Sequence, residues 1–522
     1  MKRNSVQSLI SHTTLNHKLK GRATMHIIHI AAELAPLAKV GGLADVVLGL
    51  SRELSWKGHD VDIIIPKYDC MDSNQIGDLT IDTDNLMSYY HNEWHRNTVW
   101  SGWVENLKVY FIDPHHPRRF FNRGCFYGCD DDVERYLYFC RASLEFLFKK
   151  QIQCDIIHLH DWQTAVIPIL ARDIYENLGF NHAKTMLTIH NIEYQGRCSA
   201  FDLDRIGLKG ESYYTPEKLQ DEVYPESLNL LKGGITYSNY VTTVSPTYAK
   251  EVLTKEFGFG LESTLLKNTD KFKGILNGVD YSYWNPEIDR YLPAHYSARE
   301  LPKDKKDRNT LDNKGFIKKV LRERLELSEK HKPIIGCIAR LVPQKGIDLI
   351  KQAISYIVEQ GGQFVLLGFS PIQSISEDFH HLQQIYQNHT DVSLILHHQE
   401  ELAHEIFAGS DILIVPSLFE PCGLTQMIAL KYGTIPVVRK TGGLSDTIID
   451  VDTPYEAGEA NGYTFEDPTS ESFHAALHRA IHCWFDEPEK WRQLMVHGMN
   501  IDFSWNHPAD RYLEIYKQLE HK

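Results

Sequence analysis

The sequence contains no apolar run longer than a strand needs, so none of its segments reads as a membrane-spanning helix. It also has no surplus of positive charge. With 55 Lys and Arg against 69 Asp and Glu the formal net charge is −14, which leaves no broad basic face for a nucleic acid. An anionic ligand would have to be held by a few placed cations. The nine cysteines form no C-x-x-C pair, which removes the common zinc and dithiol motifs and reads as reduced thiols in a cytosolic protein. G-x-G-x-x-G is missing as well, and with it the main support for a dinucleotide enzyme. Residues 1–24 hold Lys2, Arg3, Lys18, Lys20 and Arg22 but no acidic residue, and no apolar stretch like that of a secretory signal. They read as a disordered or transit-like extension, or as a start site placed upstream of Met25.

What is present is an ordinary globular composition, 42% hydrophobic and 24% charged, over 522 residues, which is too long for a single core. The stretch Ile412 to Asp446 shows how that length is organised. Ile412 to Val415 is an apolar, β-branched run stopped by Pro416 and Ser417. Leu424, Met427, Ile428 and Leu430 then recur at helical spacing up to Gly433. Ile435 to Val438 is a second short strand, which completes a βαβ unit. In a parallel sheet ligands bind beyond the carboxyl ends of the strands, so the loop Glu420 to Gly423 should face a ligand. Glu420 suits hydroxyls, and the N–H groups of Gly423, Leu424 and Thr425 suit an anion. Phosphate beside a polyhydroxylated group suggests a nucleotide sugar; a plain helix cap with a surface Glu is the alternative.

The start of the chain follows the same plan. His26 to Ala32 is a strand and Glu33 to Val40 a loop. Gly41-Gly42 opens a helix with Leu43, Val46, Val47, Leu50 and Leu54 on one face, and Val61 to Ile65 is the next strand. Lys39-Val40-Gly41-Gly42-Leu43 suits a phosphate, because two glycines allow close backbone approach and Lys39 adds charge. Lys440-Thr441-Gly442-Gly443-Leu444 echoes it, with Asp45 and Asp446 each six residues after the Lys. The economical architecture is α/β: two Rossmann-like, doubly wound parallel-sheet domains facing across a cleft.

Cys154 to His160, Met186 to His190 and Tyr240 to Ser245 read as buried strands of the first domain. Pro333 to Leu341, Gln363 to Phe369 and Val392 to His397 join Ile412 to Val415 in the second. Asn277-Gly278 and the polar stretch to Asp312 mark a hinge. The expected divisions are 25–275, a linker over 276–312, 313–500, and a C-terminal amphipathic helix within 501–522 carrying Tyr512, Ile515, Tyr516 and Leu519. His158 and His160 share one face of a strand with Asp161 next, but no third ligand stands at a supporting spacing, so no metal is expected.

Taken together, six motifs resemble those of bacterial glycogen synthases and plant starch synthases, retaining glucosyltransferases of GT-B architecture (family GT5). They are Lys39-Val-Gly-Gly-Leu43, His158-Leu-His-Asp-Trp162, Thr188-Ile-His-Asn191, Asn277-Gly-Val-Asp280, Arg340-Leu-Val-Pro-Gln-Lys-Gly346 and Phe419-Glu-Pro-Cys-Gly-Leu-Thr-Gln426. The resemblance covers nearly everything from Met25 onward. Ile338 to Ile347 and Val415 to Leu444 look closer to the starch synthase III/IV type than to the enterobacterial enzyme. It implies transfer of glucose from ADP-glucose to the non-reducing end of an α-1,4-glucan, with retention of configuration and with neither cofactor nor metal. The implied location is cytoplasmic, or plastidial if residues 1–24 are a transit segment.

By that resemblance Lys39, Gly41 and Gly42 would contact the diphosphate, and Arg340 and Lys345 would neutralise it as it leaves. Glu420 would hold sugar hydroxyls, while N–H groups from Cys422, Gly423, Leu424 and Thr425 would take sugar and phosphate oxygens. His190 would lie against the reacting sugar with its backbone carbonyl near the anomeric carbon. Asp161, Asn191 and Asn277 would line the cleft, Tyr127 matches a cleft tyrosine, and Asp45 matches an acid important to the family. Many retaining relatives hold the ribose with a second Glu eight residues after the first. That position is Ile428 here, as is usual in glycogen and starch synthases, so no ribose contact is assigned to this helix.

No paired carboxylates and no nucleophile stand out, so a same-face reaction within a tight ion pair is the implied chemistry. Two alternatives remain: UDP-glucose as donor or a small acceptor (a maltooligosaccharide or glucose 1-phosphate), and a non-catalytic glucan-binding or priming protein. A binding module has no use for diphosphate cations. Phosphate loops in both halves further predict that the diphosphate bridges the domains, with closure about the hinge and the last helix returning to the first domain.

Overall fold

The computed structural model describes residues 24–180, 183–298, 312–453 and 459–521. The expectation for residues 1–24 lies outside these apart from Thr24, and so does 299–311 of the expected linker. The first sheet is built from β1 (His26–Ile30), β2 (Asp60–Pro66), β3 (Gly77–Tyr90), β4 (Glu93–Val104), β5 (Leu107–Pro114), β6 (Ile156–His160) and β7 (Lys184–Ile189). After a two-stranded ribbon of β8 (Arg197–Cys198) and β9 (Leu228–Asn229), β10 (Tyr240–Thr243) and β11 (Phe272–Gly274) complete it. The order is β11-β10-β7-β6-β1-β2-β5-β4-β3.

Every residue of Ile-Ile-His-Leu-His in β6 is buried, as a strand with neighbours on both edges and helices on both faces requires. The register sets His29 opposite His158, and His158 opposite Met186. The antiparallel meander β3-β4-β5 was not read from the sequence. Its turns have positive φ at both central residues, His91 (52°) and Asn92 (64°), then Glu105 (48°) and Asn106 (67°). That is the backbone of a tight two-residue hairpin, built here without the Asn-Gly that normally signals one.

The second sheet contains β12 (Ile334–Arg340), β13 (Gln363–Phe369), β14 (Val392–Ile395), β15 (Ile412–Val415), β16 (Ile435–Arg439) and β17 (Tyr463–Phe465). All pair in parallel in the order β14-β13-β12-β15-β16-β17. Helix Thr425–Lys431 follows β15 and buries Met427, Ile428 and Leu430, the residues whose spacing announced it. Much of the expected linker is packed rather than loose. Trp284 stacks on His404 with ring centroids 4.0 Å apart, and Asp289 accepts from Tyr432 Oη at 2.5 Å and meets His404 Nδ1 at 2.7 Å.

The chain crosses between the sheets twice, side by side: Val279 N–H donates to the Phe503 carbonyl at 2.7 Å. The last helix, Asn506–Glu520, then lies on helix Gly42–Trp56 of the first domain. Trp505 plugs the junction so closely that a Cβ on Gly49 would stand 2.1 Å from its Nε1. Among the described residues no helix is long and apolar enough to cross a membrane.

Candidate active site

The site is assembled from loops at the carboxyl ends of both sheets. On the first, β1 delivers the loop leading into helix Gly42–Trp56, whose N-cap Gly41 provides no side chain to cap it. The organiser of that loop is Glu33, a buried residue absent from the sequence-based list. Its Oε2 accepts from the N–H of Val40 (2.7 Å) and Gly41 (3.1 Å), and its Oε1 accepts from Tyr127 Oη (2.8 Å). Burial raises the carboxyl above its ordinary pKa despite those three donors. Glu33 stands just beyond β1, where a carboxyl-end residue of a parallel strand is a ligand-side residue by topology alone. Tyr127 therefore meets this loop through Glu33.

Lys39 Nζ lies 2.9 Å from Asp45 Oδ1. Burial opposes the ammonium charge, but Asp45 more than offsets it and holds Lys39 above its ordinary pKa. Asp45 thus acts on the cation rather than standing as a separate ligand. Asp161, at the end of β6, has left-handed backbone (φ 56°). Its Oδ1 accepts the N–H of His190 at 2.6 Å and of Asn191 at 3.4 Å, so it clamps the backbone that carries His190. Burial lifts the Asp161 carboxyl to about 7 and depresses the His190 imidazole to about 3.

On the second sheet the turn after β12 carries Arg340 and Lys345, and the turn after β15 carries Glu420. Lys345 Nζ is 2.5 Å from Glu420 Oε2, which also accepts from Ser417 Oγ at 2.8 Å. Arg340 has no salt bridge among the described residues, and its charge is felt by Glu193 across the cleft. Gly346 (φ 71°) permits this approach, since a Cβ there would meet the Pro416 carbonyl at 2.1 Å. The N–H groups of Gly423 and Leu424 have no partner among the described residues, and Thr425 opens the helix behind them. Gln426 ties this turn by donating to the Gly423 carbonyl at 2.7 Å and to Thr447 Oγ1 at 3.1 Å. Cys422 is a buried thiol beside Asn277, pushed up to about 12 by burial, which makes it a wall and not a nucleophile. The halves touch here: a Cβ on Gly42 would be 3.7 Å from Leu424 Cδ1.

Residues 26–267 match the model of the starch synthase catalytic domain, and residues 320–494 that of glycosyl transferases group 1. Glycogen synthase from Protochlamydia amoebophila (strain UWE25) is 69% identical over 499 residues, 95% of this chain and 100% of that protein. The chain belongs to the glycogen and starch synthase family. Glycogen synthase 1 from Nitrosococcus oceani is 48% identical over the same shares of the two chains, 95% and 100%. The solved catalytic domain of starch synthase IV from Arabidopsis thaliana, bound to ADP and acarbose, matches with a TM-score of 0.92 and 46% identity over 96% of this chain and 100% of that one. Sucrose-phosphate synthase from Thermosynechococcus elongatus, at 16% identity and a TM-score of 0.56, shares the fold. The protein is thus a glycosyltransferase of two Rossmann-like domains in the GT-B arrangement.

Two expectations for this family member are corrected by its geometry. The Lys440 to Leu444 echo is not a second phosphate loop. Lys440 turns to Glu466 at 3.2 Å, and the Gly442 N–H and Thr441 Oγ1 donate to Glu251 of the first domain at 2.9 and 3.0 Å. Asp446 is likewise spent on Thr247, accepting from its N–H at 2.8 Å and its Oγ1 at 2.7 Å. This loop is an interdomain contact. The second correction concerns His158 and His160: a third histidine, His29, does lie beside them. The cluster still does not fit a cation. His158 bonds Tyr516 Oη and Thr188 Oγ1 (2.7 and 2.6 Å), His160 bonds its two neighbouring imidazoles, and among the described residues the cluster contains no carboxylate to balance a buried dication.

Proposed function

We propose that this synthase transfers glucose from ADP-glucose to the 4-hydroxyl at the non-reducing end of an α-1,4-glucan, with retention of configuration, in the cytoplasm. The observation that carries the reading is the arrangement of cations around one carboxylate. Lys345 is docked on Glu420 at 2.5 Å beside the N–H groups of Gly423 and Leu424, which have no partner among the described residues, and Arg340 in the same turn as Lys345 has no salt bridge among them. The loop that carries Lys39 meets this turn from the other domain, where a Cβ on Gly42 would be 3.7 Å from Leu424 Cδ1. A nucleoside diphosphate with a sugar attached needs this combination: positive charge for the pyrophosphate and a carboxylate for the hydroxyls. The adenine nucleotide is supported by the ADP carried by the starch synthase IV relative.

In the reaction the bond from C1 of glucose to the β-phosphate oxygen breaks, leaving negative charge on the diphosphate and positive charge on the sugar ring. Lys39, Arg340 and Lys345 stabilise the first, and they count for more in a closed cleft than in water. The acceptor O4 bonds to C1 from the same face, and its proton passes to the departing phosphate oxygen. Glu420 and the Asp161-clamped His190 backbone hold the sugar. Asp161 acts by positioning, since its near oxygen is already engaged by two N–H groups.

The test is nucleotide release on purified protein with glycogen, comparing ADP-glucose with UDP-glucose, each with and without EDTA. The expected result is ADP release from ADP-glucose, unchanged by EDTA, with glucose appearing in the polymer. Release from UDP-glucose alone replaces the donor, and glucan binding without any release replaces the enzyme with a binding protein.

A further inference from the structure

Cys125 and Cys129 are separated by Phe126, Tyr127 and Gly128, and their sulfurs lie 3.2 Å apart. No other two sulfurs are in contact among the described residues. Gly128 has left-handed backbone (φ 90°) and turns the chain so that the thiols meet. Asp132 fixes that turn, accepting from the N–H of Gly128 at 2.9 Å and of Cys129 at 3.1 Å. Both thiols are partly exposed, whereas Cys140, Cys154, Cys198, Cys337, Cys422 and Cys483 are buried. A reagent in solution therefore reaches this pair and not those six.

The segment between the sulfurs carries Tyr127, whose Oη donates to Glu33 Oε1 at 2.8 Å. Glu33 Oε2 in turn holds the N–H groups of Val40 and Gly41 in the Lys39 loop. A disulfide needs its sulfurs about 2.05 Å apart, so closing it draws this short segment in by about 1.2 Å. Half that movement at Tyr127 Oη is enough to break its bond to Glu33, because an O–H donor works over about 2.5 to 3.0 Å. The two sulfurs are not equivalent. The Arg123 guanidinium, braced on Asp131 Oδ2 at 2.8 Å, bonds the Cys129 sulfur, and the bond to Cys129 raises the Cys125 thiol above its ordinary pKa. A cation beside a sulfur favours attack as an anion, which makes Cys129 the attacking sulfur and Cys125 the resolving one.

We propose that Cys125 and Cys129 are a reversible thiol–disulfide site, oxidised by a small disulfide of the glutathione type, and that the bond between them weakens donor binding through Tyr127 and Glu33. The effect on the donor rests on the synthase reading; the disulfide does not. Cys129 gives up its proton and attacks one sulfur of the oxidant, whose S–S bond breaks, and one half leaves as a thiol carrying a proton. Cys125 then loses its proton, attacks Cys129 Sγ and expels the other half as a second thiol. Two protein thiols become one disulfide while one disulfide becomes two thiols, and excess thiol runs the exchange backward.

The experiment equilibrates the full chain in oxidised or reduced glutathione, blocks remaining thiols with iodoacetamide and maps peptides by mass. In oxidised glutathione the peptide spanning Cys125 and Cys129 should lose the mass of two hydrogens and resist alkylation, and dithiothreitol should restore both properties. KM for ADP-glucose should rise by about 5-fold on oxidation, the worth of one hydrogen bond, and return on reduction. The double variant Cys125→Ser with Cys129→Ser should keep the reduced value in both buffers. Tyr127→Phe should still form the disulfide yet show the same KM in both, because the hydroxyl that couples the segment to Glu33 is gone. Alkylation of both cysteines in oxidised glutathione, an unchanged KM once the disulfide has formed, or a shift that persists in the double variant overturns the proposal. Should a variant fail to fold, the peptide map and KM of the unsubstituted protein decide. Absence of ADP release from the reduced protein would remove the synthase reading, and the peptide map would still show whether the pair closes.

Discussion

At the scale of single residues, charge placement dominates. Lys345 and Arg340 share one turn of the second domain, the first pinned to Glu420 at 2.5 Å and the second without a salt bridge among the described residues. Lys345→Ala and Arg340→Ala should each lower kcat by about 10² to 10³, the usual loss for one oriented charge-stabilising donor, in an ADP-release assay. Asp161 is the residue whose titration should be visible in stability. Its folded pKa, about 7, lies above the ordinary carboxylate value, so the native state binds the extra proton and stability falls as pH rises from about 4 to 7. Asp161→Asn keeps an oxygen for the His190 N–H and removes the titration. Its melting temperature should therefore gain on that of the unsubstituted protein between pH 5 and pH 8. That Lys345, Arg340 and Glu420 sit in turns at strand ends was legible from motif wording, because each motif follows an apolar strand-length run. Glu33 was not, because a single Glu in a loop has no spacing partner, and its role appears only when Tyr127, 94 residues away, bonds to it.

At the scale of elements, the loop after β1 is a backbone device with one side chain as its frame. Glu33→Ala would free the Val40 and Gly41 N–H groups and leave Tyr127 Oη without its acceptor. It should raise KM for ADP-glucose by about 10-fold, consistent with loss of preorganisation worth one to two hydrogen bonds, measured in initial-rate kinetics. The C-terminal helix is anchored by Trp505, 4% exposed and wedged against Gly49 and Gly278. Trp505→Ala should cost about 3 to 5 kcal/mol in urea unfolding, as large aromatic deletions from a tight core do. Helices and buried strands were readable because their periods are local. The meander β3-β4-β5 was not, because its strands alternate polar residues and its turns, His91-Asn92 and Glu105-Asn106, adopt positive φ without glycine.

At the scale of the whole molecule, the two domains meet through Glu251 with Thr441 and Gly442, and through Thr247 with Asp446. These contacts lie beside the Glu420 turn, since Gly442 closes on the Glu420 carbonyl, which a Cβ would meet at 2.0 Å. The double variant Glu251→Ala with Asp446→Ala removes all four bonds and should open the molecule. The expected outcome is a larger radius of gyration by small-angle scattering, reduced by ADP, and identical curves for the variant and the unsubstituted protein would remove the role of these bonds in holding it closed. By itself the sequence determined the two α/β domains and their buried strands, because hydrophobic period is a property of neighbouring residues. Only the tertiary structure decided what each loop faces. The Lys440 loop has the wording of a phosphate site yet is occupied by Glu251, and His29 joins a column whose other members lie far along the chain. Local chemistry sets what a segment can bind, and packing across the sheets sets what reaches it.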